Sequence, residues 1–181
     1  MTDILTACRR MMLSDQPLMT LLGTGAQSAQ NTTSWDHWLF NDTPKIRIEN
    51  TEQSMIVLTN AGGWASPNQH NTMRFPRLCV DAWSDPTRAI DGSPKLDDAK
   101  DKIEAIFNEV NRLLHRTKNS IPDPANPGQS MPLMWGTPAE LLAHTGLRLS
   151  GSQALDSEPA LSPVSGGNGA WMGRKYFGIT L

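Results

Sequence analysis

The segment from about Lys95 to Arg116 constrains the fold more than any other part of this chain. Leu96, Ala99, Ile103, Ile106, Phe107, Val110, Leu113 and Leu114 recur at three- and four-residue spacing, which draws an apolar stripe along one side of a helix. Asp97, Asp98 and Asp101 come early, while Arg112, Arg116 and Lys118 come late, the polarity that the helix dipole favours. Ser93 is placed to cap the helix, with Pro94 as its first residue. At 1.5 Å per residue such a helix runs about 30 Å, the width of a small domain. Its apolar side therefore has to be covered by a sheet.

Strand patterns lie on both sides of it. Trp38-Leu39-Phe40 is a short apolar run, Lys45–Glu49 alternates with period two, and Met55-Ile56-Val57-Leu58 is a third run. From Arg74 to Ser84, Leu78, Val80 and Ala82 share one face and Arg77, Cys79, Asp81 and Trp83 the other. Pro76 has no amide donor, so this strand is an edge strand or begins near that point. Trp171–Leu181 reads as a closing strand with Gly173 as a bulge. Before the strands, Ile4, Leu5, Cys8, Met11 and Met12 keep helical spacing with Thr2 as N-cap. Ser14-Asp15-Gln16-Pro17 breaks that helix, and Leu18–Leu22 makes a second short one ending at Gly23. A further short helix is expected over 138–144, followed by an alternating Leu147-Arg148-Leu149. The order predicts an α+β fold: a mostly antiparallel sheet packed by one long and one or two short helices, in a single domain spanning 1–181.

Composition adds long irregular loops to this expectation. Ser, Thr, Asn, Gln, Gly and Pro make up 74 of the 181 residues, about 41%, against 36 for Leu, Ile, Val and Phe. A charge of only −2 and six Trp argue against disorder, because self-repulsion is weak and large apolar anchors are present. The polar excess falls in excursions at about 60–72, 117–132 and 150–169 around a modest core.

The search for chemistry returns little. There is no apolar run long enough to cross a membrane and no basic-then-apolar secretory signal at the start, so the glycosylation triplets at Asn31 and Asn41 carry no weight. Cys8 and Cys79, far apart, are expected to be buried reduced thiols of a cytoplasmic protein. His37, His70, His115 and His144 lack zinc-motif spacing. Asp97, Asp101 and Glu104 share a helix flank, but Lys100 and Lys102 interleave with them, as on a solvated face. Gly23-Thr24-Gly25 and Gly166-Gly167-Asn168-Gly169 lack the residues of a phosphate loop. Basic residues are scattered without aromatic interleaving, which gives no support for specific nucleic-acid binding. No cofactor or metal is expected.

The placement of tryptophan is less ordinary. Trp64 and Trp171 adjoin the polar excursions, either as loop anchors on their own domain or as anchors in protein–protein contacts, where Trp is enriched. Candidate contact residues are Trp64, Phe75, Arg77, Trp135, Trp171 and Tyr176.

Several blocks together resemble the tail terminator family of long-tailed bacteriophages. These are the opening helices over Ile4–Leu22, the run Trp38-Leu39-Phe40, and the strand Phe75-Pro76-Arg77-Leu78-Cys79-Val80-Asp81-Ala82-Trp83-Ser84. A turn then leads to the helix Leu96–His115, with Ala105-Ile106-Phe107 inside it, and Tyr176–Leu181 forms a closing strand. The likeness is motif-like over 73–116 and one of layout elsewhere. It implies a non-enzymatic virion protein, assembled in the host cytoplasm into a six-fold ring. Such a ring caps the tail tube, meets the head–tail connector or stopper on its other side, and leaves a channel for double-stranded DNA without gripping it. The mild acidity is compatible, since phosphate affinity needs clustered Lys and Arg. Two other readings stand beside it: another neck or tail component, such as a head-completion adaptor or tail-tube subunit, and a small hydrolase using Cys79 with a histidine.

Overall fold

A computed structural model describes residues 4–13, 15–23, 39–41, 52–68, 71–95, 97–115, 120–122, 130–132, 151–165 and 168–180. Two short helices, α1 (Ile4–Leu13) and α2 (Gln16–Leu21), open the chain. They are followed by β1 (Leu39–Asn41), β2 (Ser54–Asn68), β3 (Asn71–Ser84) and the long α3 (Asp98–Leu114). Short strands β4 (Ser120–Pro122) and β5 (Ser130–Pro132) pair with each other. The main sheet is completed by β6 (Gly151–Ala154), β7 (Ala160–Pro163) and β8 (Trp171–Thr180).

The main sheet has six strands in the order β1-β2-β3-β8, with β6 and β7 sharing the far side of β8. Only β1–β2 is parallel; every other pairing is antiparallel. The fold is therefore α+β, as the order of patterns predicts. Alternation along the strands then sorts the side chains. Ile56, Leu58, Leu78, Val80, Ala82, Phe177 and Ile179 point to the helix-covered side. They join Leu5, Met12, Leu18, Ile103, Phe107, Val110 and Leu114 in one core. The stripe on α3 is buried at Ala99, Ile103, Ile106, Phe107, Val110 and Leu114, as its spacing requires.

Polar links fix the helices to this sheet. Asp15 caps α2 by accepting from the Leu18 amide, and its carboxylate also receives Arg112 from the last turn of α3 at 2.6 and 2.7 Å. Arg9 is buried on α1 and its Nε donates to the Leu39 carbonyl of β1 at 2.7 Å. Pro17 sits in the first turn of α2, where a missing amide costs nothing.

Several expectations need correction. The long helix starts later than Ser93-Pro94: its N-cap is Asp97, in the left-handed region at φ 61° and without a side-chain cap. Ser93 instead closes a tight turn, its carbonyl accepting from the Ala89 amide and its own amide donating to Asp91. The excursion at 60–72 is a β ladder whose register shifts once, between Asn60 and Gly63; Gln69 and His70 lie outside the described residues. The excursions at 117–132 and 150–169 contain the strand pair β4–β5 and the strands β6 and β7. Gly173 is not a bulge, because β3 and β8 pair in unbroken register from Ser84↔Trp171 to Arg77↔Gly178. A Cβ on Gly173 would lie 2.6 Å from Phe107 Cε2 and 2.7 Å from Ile103 Cγ2, so glycine is there to let α3 approach the sheet. Thr2, the strand pattern at 45–49, the helix expected over 138–144 and the alternation at 147–149 lie outside the described residues.

Candidate functional site

The side of the sheet away from the helices carries the polar chemistry. On it stand Cys79, Asp81 and Trp83 of β3, opposite Tyr176, Arg174 and Met172 of β8. Phe40, Met55 and Val57 form a small second core beside them, with Trp83 packed half-buried against it. Asp81 and Arg174 are direct cross-strand partners. Arg174 Nε reaches Asp81 Oδ1 at 2.6 Å and its terminal amino group reaches Oδ2 at 2.7 Å, a two-pronged fork that fixes orientation as well as charge. The carboxylate is buried while the guanidinium remains half-exposed. Hydrogen bonding to Asp81 drives Arg174 further into its charged form.

Cys79 stands beside this pair on the same face of β3 and donates to Asp81 Oδ1 at 3.6 Å. Burial first, and the Asp81 charge second, pushes its thiol up to about 11. At neutral pH it is protonated and lacks the thiolate that nucleophilic chemistry requires. His115, at the end of α3, lies on the opposite side of the sheet, where its Nδ1 accepts from the Ala154 amide at 3.3 Å. His37, His70 and His144 lie outside the described residues. Both cysteines are free and buried, as the sequence predicts. Among the described residues no three His, Cys, Asp or Glu side chains gather in a way that would hold a metal ion.

Of the six candidate contact residues, Arg77 and Tyr176 stand on one side of the sheet and Trp171 on the other. Trp64 and Phe75 are cross-strand partners where the β2–β3 ladder runs on past the rest of the sheet; their side chains, like the whole of Trp135, lie outside the described residues. Arg77 is exposed on the last rung that β3 shares with β8. Tyr176 is half-buried beside Cys79, and its amide donates to Asp156 Oδ2. Trp171 stands on the helix side, packed against the core with Lys100 Nζ 6.0 Å from its ring centre. Trp171 is thus an anchor within its own chain.

Three features escape sequence reasoning. Lys175 is buried and donates to the Ser157 carbonyl at 3.1 Å, which pins the crossing from β6 to β7; a lysine in a closing strand gives no sign of this. The Asp81–Arg174 fork depends on the register of strands far apart in sequence. Ile90, fully exposed, sits on a turn flanked by Arg88 and Lys95. In sequence it looks like any isolated apolar residue.

No protein-family model matches the chain, and no curated protein matches it at a significant level.

Proposed function

We propose that this chain is a structural virion protein of the tail-terminator type. It would assemble as a homo-hexameric ring that caps the tail tube, meets the head–tail connector or stopper, and leaves a channel through which DNA passes unbound. The observation that carries this reading is the order of elements over one helix-covered sheet. A long hairpin whose second strand contains Phe75–Ser84 leads through a turn to α3, and the chain returns to finish in β8. That is the layout the resemblance implies. Support of a second kind is chemical: the described polar cluster is an ion pair across two strands beside a protonated thiol, an arrangement that braces a sheet. Cys79, with its pKa raised and His115 on the other side of the sheet, gives the hydrolase reading no thiolate and no described base.

The test is the state of the purified full chain. Size-exclusion chromatography with light scattering should give about 120 kDa, six times the 19.9 kDa chain, and negative-stain images should show rings that seat on one end of tail tubes. A protein that stays monomeric at every concentration and never binds tube ends would overturn the proposal. A phage lacking it should make overlong tails; heads with no tails would favour a head-completion role instead.

A further inference from the structure

We propose that the free end of the β2–β3 hairpin is a strand-addition surface that pairs with the same hairpin of a second copy of this chain. This deepens the ring reading and rests on it for the closed geometry.

From Arg77 to Ser84, β3 lies between two strands, β2 and β8. Beyond Arg77 the β2–β3 ladder continues from Gly63↔Pro76 to Asn68↔Asn71, while β1 covers only Ile56–Leu58 of β2. Among the described residues, 63–68 and 71–76 therefore form a two-stranded arm with both edges open. Its root is a built bend rather than slack chain. The register shifts between Asn60 and Gly63, Gly62 takes φ 81°, and the Gly62 amide donates to Asn60 Oδ1 at 3.0 Å, the local geometry of a bulge that re-aims a strand.

A two-stranded ribbon is at best marginal in water, and long open edges are normally guarded by lysine, proline or inward charge. This arm has no lysine and a single charged residue, Arg74; its guards are Pro67 and Pro76. Their positions are informative. Rungs of an antiparallel ladder alternate between pairs that exchange hydrogen bonds and pairs that do not, and proline cannot donate. The rungs Pro67↔Thr72 and Gly63↔Pro76 have the same parity, so both are non-bonded rungs, and the rung that closes the two-residue turn, Asn68↔Asn71, is a bonded one. Gly63, Ala65 and Pro67 then turn their backbone polar groups outward along one edge. Thr72, Arg74 and Pro76 do so along the other.

These two edges complement each other. In a rotationally symmetric ring, the β2 edge of one copy runs antiparallel to the β3 edge of the next. Set side by side without a shift, Ala65 exchanges two hydrogen bonds with Arg74 of the neighbour. Gly63 donates to the Pro76 carbonyl, and Thr72 to that of Pro67. Every outward amide finds a carbonyl, and each proline falls where its missing donor is compensated by its carbonyl. The edges differ from each other, so the contact is head-to-tail, the kind that generates a ring when the rotation closes.

Proline substitutions on outward positions test this, because they remove a donor from the edge while leaving the arm's own ladder intact, as Pro67 and Pro76 do. Ala65→Pro and Arg74→Pro should each convert the assembly to monomers by light scattering, with far-UV circular dichroism unchanged. Mixing the two should give dimers and nothing larger, since one variant keeps only its β3 edge and the other only its β2 edge. A variant that merely misfolds cannot form such a dimer, and Thr72→Pro offers a further site on the second strand. Rings that survive both substitutions overturn the arm contact and leave the ring reading standing. Assemblies of another size that are abolished by the same prolines uphold the arm and overturn the ring of six. A wild-type chain that never self-associates overturns both.

Discussion

Gly173 shows how closely the long helix is seated. The hydrogen that stands where other residues carry a Cβ faces Phe107 and Ile103, with less than 3 Å available to a methyl carbon. Neither neighbour can retreat far, because both are buried in the same core. Gly173→Ala should therefore destabilise the fold by about 1–3 kcal/mol through overpacking, a fall of several degrees in melting temperature. Phe107→Leu in the same chain should recover part of that loss. A Gly173→Ala protein as stable as the wild type would mean that α3 lies further from β8 than described. Cys79 gives a second test at this scale. Its folded pKa, about 11, lies above the ordinary value of 9.0, so the folded state holds the proton more tightly than the unfolded chain. The associated stability is complete below about pH 9 and is lost as pH rises towards 11. Cys79→Ser should flatten that part of the pH–stability curve, and iodoacetamide at pH 8 should modify Cys79 only as fast as the chain opens.

At the scale of elements, one lysine ties the loop between β3 and α3 to the helix. Lys102, in the second turn of α3, donates to the Asp85 carbonyl at 3.1 Å and to Thr87 Oγ1 at 3.0 Å, and pairs with Asp98 at 3.0 Å. Asp98 in turn accepts from the Thr87 amide. Lys102→Met keeps the length of the stem but leaves these acceptors to water, at a cost of about 1–2 kcal/mol. Amide exchange at Thr87 and Lys95 should accelerate well before that of the α3 interior; equal acceleration in both would deny the lysine a local role. The same region shows what the sequence could and could not reveal. The α3 stripe, the split of α1 from α2 at Asp15 and the two faces of β3 follow from periodicity and breakers, which are local signals. Ser93-Pro94 has the chemistry of a helix start, yet α3 begins later because that stretch is held as a turn by the bonds of Ser93 to Ala89 and Asp91 and of the Lys95 amide to the Thr87 carbonyl. The β-structure in the excursions gives little sequence signal because β4 and β5 are only three residues each and rich in serine and proline, and because β6 and β7 find their partner in β8, elsewhere in the chain. For the candidate site, the composition of β3 was readable, but the Asp81–Arg174 fork needed a register spanning 93 positions. Pro76 marks neither an edge strand nor a strand start, since β3 begins at Asn71 and lies between β2 and β8; it stands one residue beyond the last rung shared with β8, where its missing donor has no partner strand to fail.

For the whole molecule, assembly should be visible in stability itself. The described core is one cluster between three helices and one side of the sheet, with a small second cluster opposite. If the arm pairs only in the ring, part of the free energy of the folded state belongs to the assembly and follows mass action. A hexamer that unfolds to six chains gains about 1 kcal/mol per subunit for each tenfold rise in concentration, equivalent to a rise of about 2–4 °C in melting temperature for a chain of this size. Scanning calorimetry from micromolar to near-millimolar chain should show that slope for the wild type. Ala65→Pro should melt at one temperature throughout, close to the lowest wild-type value, because its monomer keeps every contact made within the chain. A wild-type melting temperature that ignores concentration, in a protein that light scattering shows to be a ring, would place the ring contacts outside the cooperative unfolding unit. A proline variant that keeps the full slope would place them away from the arm.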